Sequence, residues 1–153
     1  MNEQQQNQLD LRGVHLWLIL WKTYDALKGQ AHKSIESLGI CFTDFAILEF
    51  LLHKGPRPVN VIGKTVSISS GSVSIAVDRL VERGLVARCP HSTDRRTRVV
   101  SLTESGSDLI GGAFEEHAQA MEEATASLSL AEREILISLL KRLGKASGTV
   151  GRE

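Results

Sequence analysis

The chain has 153 residues, 42% hydrophobic and 24% charged, which suits one compact domain or a domain with a dimerisation extension. Eighteen Lys and Arg balance eighteen Asp and Glu, so overall charge neither demands nor excludes nucleic acid, and any basic face must be a local concentration. Cys41 and Cys89 make neither a disulfide framework nor a ligand-spaced cluster, which fits a reducing cytoplasm.

Residues 1–8, MNEQQQNQ, are polar and are expected to fray; they lack the basic start and apolar run of a secretion signal. Val14 to Trp21 holds only seven apolar residues, far short of a membrane span, so a cytoplasmic protein is expected. From Leu11 to about Leu38 the pattern is helical, and VHLWLILW is apolar almost all round. Such a helix needs partners on several sides, which a second subunit supplies. Trp17 and Trp21 lie one turn apart on one face, as interface or core packing would require. Gly39 ends this helix. Thr43 and Asp44 open a second, with Phe45, Leu48, Leu51 and Leu52 on its apolar face and Phe42 and Ile47 placed for a hydrophobic staple. Gly55, Pro56 and Pro58 close it and restart the chain. Val59, Ile62 and Val66 mark a short helix, and Ser67 to Ser70 form the turn of a helix-turn-helix.

The next helix starts at a cap on Ser69 or Ser70 and stops at Gly84. Val73, Ala76, Val77, Leu80 and Val81 form its core stripe, while Ser70, Ser72, Ser74, Asp78 and Arg79 occupy other faces. Its small first turn, with Gly71, lets the backbone approach another surface; short hydroxyls contact base edges or phosphates, and a helix N-terminus attracts phosphate. Leu85 to Cys89 and Thr97 to Leu102 read as two strands around a turn containing Pro90 to Asp94. Arg96, Arg98, Val100 and Leu102 share one parity, which puts arginines toward the tip and apolar anchors toward the root. From Arg79 to Arg98 six arginines face two acids, a local balance of plus four. Joined to the serine-led helix, this basic hairpin points to DNA rather than to an ordinary solvated turn.

After Thr103, Ile110, Phe114, His117, Met121, Ala124 and Leu128 form the seam of a long helix. Between Thr103 and Glu134 eight acids face only Arg133, which keeps this region off DNA. Ser129 and Glu132 form a capping box before a last helix carrying Leu136, Leu139, Leu140 and Leu143, whose natural partner is the first helix, within and across a dimer. His117 reads as a hydrogen-bonded core or interface histidine, with a sensing role as the alternative. Gly63-Lys64-Thr65 imitates a P-loop end, but the first glycine position is Pro58; SGSVS lacks the glycines of a nucleophile elbow. His15, His32, His53, His91 and His117 fall on separate elements without zinc spacing. No enzyme, cofactor or metal is therefore expected.

Asp94, Arg96, Leu102, Thr103 and Gly106, within DRRTRVVSLTESG, resemble the wing signature of the MarR family of winged helix-turn-helix regulators. SGSVSIAVDRLVERGLV is similar to that family's recognition helix, and the likeness in organisation runs from about Leu11 to Leu143. It implies a mainly α fold with a small β-hairpin wing, divided into a tail and first dimerisation helix (1–38), a winged helix-turn-helix region (39–106) and C-terminal dimerisation helices (107–153). It further implies a homodimeric repressor on pseudo-palindromic operator DNA, released or occasionally retained by a small aromatic or phenolic effector. The expected DNA contacts are Ser70, Gly71, Ser72 and Ser74 at base edges or phosphates, and Arg79, Arg95 and Arg98 at the backbone. Arg96 is expected in the minor groove, its tip oriented by Asp94. An effector pocket between the first helix and the DNA-binding lobe is expected at Trp17, Trp21, Phe45 and His117. The first helix lacks the cysteine of the peroxide-sensing branch, while LGICFTDFAILEFLLHKGPRPV is loosely similar to members answering quinones and phenols. The alternatives are a winged helix that docks proteins without binding an operator, and a regulator sensing electrophiles through Cys41 or Cys89.

Overall fold

The structure, a computed structural model, describes residues 11–90 and 98–147. Helix α1 (Arg12–Ile35) buries only Ala31 and Ile35, near its C-terminal end. Its other half leaves Leu11, Val14, Leu16, Trp17, Leu18, Ile19, Trp21 and Tyr24 exposed. A short 3-10 turn (Glu36–Leu38) ends at Gly39, whose φ of 59° is the left-handed conformation that glycine adopts at least cost.

Helix α2 (Phe42–Lys54) is the centre of the core, with Phe45, Ile47, Leu48 and Leu51 buried. Its cap is Cys41, not Thr43, and Phe42 is already helical, so the expected staple does not form. Phe42 instead stacks on the His32 ring at 5.2 Å. The aromatic partner on α1 wins over the local staple.

A strand that periodicity did not reveal follows: β1 (Arg57–Pro58) pairs antiparallel with Val99 and Val100. Pro58 lacks a donor and sits where an edge strand tolerates it. Helix α3 (Val59–Thr65) then runs into α4 (Ser70–Glu82) through a turn in which Ser67 has φ 57°. The two helices meet at Gly63, where a Cβ would lie 3.0 Å from Val73 Cγ1. Ser69 is the cap of α4, accepting the Ser72 N–H.

The hairpin of β2 (Val86–Pro90) and β3 (Arg98–Leu102) completes a three-stranded sheet in the order β1-β3-β2. As the central strand, β3 buries both Val99 and Val100, so the single-parity pattern expected of a lone hairpin holds only in part. Thr103 joins the sheet to α5 (Glu104–Ala124): its hydroxyl donates to Gly84 O at 2.6 Å and accepts the Gly106 N–H at 3.0 Å. A Cβ on Gly106 would fall 1.9 Å from the Leu85 carbonyl oxygen, so only glycine lets α5 lie this close to the root of the hairpin.

Helix α5 packs on α1 and α2, burying Ile110 and Ala113. Ser129 and Glu132 form the expected capping box of α6 (Leu130–Ala146), and these hydrogen bonds hold the Glu132 carboxyl below the usual range. Arg133 ties the start of α6 to Leu128 O and to Glu122. No residue of α6 is buried, and Leu130, Ile135, Leu136, Ile137, Leu139, Leu140 and Leu143 are exposed. None of the described helices is long and apolar enough to cross a membrane.

The Gly106 contact generates a paired expectation. Gly106→Ala lowers unfolding free energy by about 2 kcal/mol through overpacking against backbone. Gly111→Ala on the same helix, where a Cβ meets nothing within 4 Å, raises it by up to about 1 kcal/mol. Urea unfolding of the two variants measures both signs.

Candidate nucleic-acid interface

Val73, Ala76, Val77 and Leu80 of α4 are sealed in the core, while Ser70, Gly71, Ser72, Ser74, Ile75, Asp78 and Arg79 are exposed. Serines set the shape of the first turn. Ser69 Oγ accepts the Ser72 N–H at 3.2 Å and lies 2.8 Å from Ser72 Oγ, and Ser74 Oγ donates to Ser70 O at 3.0 Å. Having given its one proton to the backbone, the Ser74 hydroxyl faces outward as an acceptor. A Cβ on Gly71 would meet nothing within 4 Å, so the backbone there is open to whatever approaches.

Arg79, expected at the DNA backbone, is engaged within the protein. Its Nε donates to Asp44 Oδ2 at 2.9 Å and its Nη2 to Asp44 Oδ1 at 2.5 Å, with Cys41 Sγ 3.4 Å from the same Nη2. The Asp44 side chain is 2% exposed, so a fork-like guanidinium satisfies a buried carboxylate from both oxygens. That hydrogen bonding raises the affinity of Arg79 for its proton. Arg79 is thus a strut between α4 and the first turn of α2.

Two more arginines brace the same helix. Arg83 Nη1 donates to Gly39 O at 2.9 Å, fixing the end of α4 to the corner between α1 and α2. Arg88 on β2 pairs with Asp78 at 2.6 Å, fixing α4 to the hairpin. Three of the six arginines between 79 and 98 therefore orient the interface from within. Arg98 is exposed on β3, while Asp94, Arg95 and Arg96 lie outside the described residues. Cys41 is exposed and Cys89 is half-buried, 3.7 Å from Ser101 Oγ.

The four residues expected to wall an effector pocket divide into two pairs. Phe45 and His117 meet, with ring centroids 4.8 Å apart, and the row continues through Phe42 to His32. Ser34 Oγ donates to Ala31 O at 2.8 Å, so its 2.7 Å bond to His117 Nδ1 is donated by the imidazole. Trp17 and Trp21 stand apart, 61% and 57% exposed. Along α1, Trp21 is about 20 Å from Ser34, the rise of thirteen helical residues, which separates it from the His117 cluster. Among the described residues no group of three or more His, Cys, Asp or Glu is placed to hold a metal.

Asp44, Ser34 and Ile75 were not singled out from sequence. Nothing local marks the partners of the first two, since Asp44 and Arg79 are 35 residues apart and Ser34 and His117 are 83 apart. Ile75 did carry a signal, an apolar residue standing off the apolar stripe of its own helix.

Known proteins share this arrangement. Residues 38–97 match the model of the MarR family. The HTH-type transcriptional regulator MhqR of Bacillus subtilis is 35% identical over 133 residues, covering 87% of this chain and 92% of MhqR. The chain belongs to the MarR family. A MarR variant from E. coli complexed with operator DNA superposes with a TM-score of 0.76 at 23% identity, over 90% of this chain and 99% of that one. Bordetella bronchiseptica BpsR, whose DNA binding is regulated by 6-hydroxynicotinic acid, gives 0.76 at 22% identity, over 91% and 98%. At those identities the likeness establishes the shared fold. As a MarR-family member the chain is a DNA-binding transcriptional regulator, with α4 as the second helix of its helix-turn-helix and β2–β3 as its wing. This class of relative does not favour a winged helix that merely docks proteins.

The strut role of Arg79 separates from a phosphate role by experiment. Arg79→Ala strands a buried carboxylate and costs about 3 kcal/mol of unfolding free energy, the low end for breaking such a pair because the arginine side is 43% exposed. Chemical denaturation without DNA reads this directly; a residue serving only phosphate leaves the midpoint unchanged.

Proposed function

We propose that the protein is a homodimeric repressor, acting in the cytoplasm by binding rather than catalysis, that holds pseudo-palindromic operator DNA until a small aromatic effector releases it. The observation that carries the operator reading is the exposed Ser70-Gly71-Ser72 turn of α4, held by three arginine contacts to neighbouring elements beside a strand bearing exposed Arg98. Rigid bracing matters because a helix that reads base edges must keep its angle to the groove. Two such helices in one dimer enter successive major grooves about 34 Å apart. Ser70, Gly71, Ser72 and Ser74 approach bases or phosphates, and Arg95 and Arg98 approach the backbone. Arg96 enters a narrow minor groove, with Asp94 orienting it.

The homodimer reading rests on apolar surface. The first half of α1 and all of α6 leave their large hydrophobic residues uncovered within one chain, an arrangement a second copy relieves. The effector reading rests on the aromatic row of His32, Phe42, Phe45 and His117, which lies at the same end of α2 as the Asp44 strut. A ring inserted there disturbs α2 where α4 is anchored, and the effector releases DNA to the extent that it favours the disturbed arrangement. Control of BpsR by 6-hydroxynicotinic acid supports an effector of this chemical class.

Genomic fragments retained by the full-length protein, sequenced and aligned, yield an inverted repeat if this reading holds; recovery of no shared sequence overturns it. On that operator, affinity falls as salt rises, with a log-log slope of about −0.9 per phosphate contacted. Arg98→Ala makes the slope shallower by about two, one phosphate from each subunit of a dimer. Titration with 6-hydroxynicotinic acid and simple phenols, followed by operator release, tests the aromatic class; His117→Leu is expected to blunt any such response while leaving operator binding intact.

A further inference from the structure

We infer that Ile75 is a specificity-determining residue that reads the 5-methyl group of a thymine in the major groove, once in each half-site. The inference rests on the operator-binding reading and adds to it a base identity that the serines alone do not supply.

At about 100° per residue, Ile75 points some 150° away from the centre of the Val73, Ala76, Val77 and Leu80 stripe. It is 64% exposed, an apolar side chain at the middle of the outward face. Its neighbours define what that face can meet. Gly71, one turn earlier on the same ridge, has nothing within 4 Å of its Cβ position, so a surface can come close to the backbone and let Ile75 reach past it. One and two turns later on that face come Asp78 and the exposed Glu82. Asp78 is neutralised by Arg88, but Glu82 repels phosphate, so α4 enters a groove by its first two turns, which are the turns that hold Ile75.

The polar groups beside Ile75 are partly spent. Ser72 is bonded to Ser69, and Ser74 has given its proton to Ser70 O. The first turns therefore offer serine hydroxyls, Ser74 as an acceptor, and one branched apolar side chain. In the major groove the apolar feature that distinguishes a base pair is the thymine methyl, and an adjacent adenine N6 amino group suits a hydroxyl acceptor. An exposed isoleucine between such hydroxyls fits the thymine methyl, which a G·C pair does not present.

The test uses the full chain and an operator recovered from random duplexes. Each thymine is replaced in turn, symmetrically in both half-sites, by deoxyuridine, which deletes only the methyl group. Wild-type protein is expected to lose about fifteenfold in affinity at one thymine position, about fourfold for each methyl removed from contact. Ile75→Ala, whose exposed site keeps the fold intact by circular dichroism, binds the thymine operator more weakly and binds the thymine and deoxyuridine forms equally at that position. Equal binding of both forms at every position by the wild type overturns the assignment, as does unaltered discrimination in Ile75→Ala. Either of those results leaves operator binding standing. Recovery of no preferred duplex removes operator reading and this inference together.

Discussion

The architecture depends on one buried charge. Asp44 sits in the first turn of α2, 1% exposed, in the helix that supplies most of the core. A carboxylate there is tolerable only because Arg79 reaches it from α4 with two hydrogen bonds, and the geometry of that fork leaves α4 little freedom to roll. Hydrophobic packing through Val73, Val77 and Leu80 holds α4 to the core but is tolerant of small rotations. The charge pair converts that tolerance into one orientation. Arg83 on the Gly39 carbonyl and Arg88 on Asp78 do the same at the far end and at the hairpin, so the reading helix is fixed at three points by directional bonds.

Within a chain of zero net charge, the arginines of this region divide their labour. Some arginines act as braces, while Arg98 on β3 is exposed. Apolar surface is likewise unevenly placed: a well-packed centre of α2, α4 and β3 contrasts with α1 and α6, whose leucines, isoleucines and tryptophans are left bare.

What sequence reveals here follows the range of the interaction. The stripe of α4, apart from Val81, which is exposed, the capping box at Ser129 and the stop at Gly84 were legible because helix periodicity and caps are set within a few residues. The Asp44–Arg79 fork was not, since neither residue carries a local mark of its partner, and Arg79 on an outward face reads as a free charge. The two-residue strand at Arg57 and Pro58 escaped because so short an edge has no alternation to detect. Within one chain Trp17 and Trp21 lie well along α1 from Phe45 and His117, because a shared helix fixes direction and not distance along it. At α2, a local staple through Phe42 lost to stacking on His32, a partner ten residues earlier.

The contact between Gly106 and the Leu85 carbonyl has a mechanical consequence. Backbone meets backbone there, and the Thr103 hydroxyl spans the same junction to Gly84, so the start of α5 cannot slip along the hairpin root. With 21 residues, α5 is about 31 Å long, a rod pinned at its first turn to the hairpin root. By the geometry of a rod of that length, a sideways displacement of about 3 Å at its far end corresponds to a rotation of only about 5° at the junction. The gearing is a reduction: coarse movements far from the hairpin become fine angular adjustments beside it.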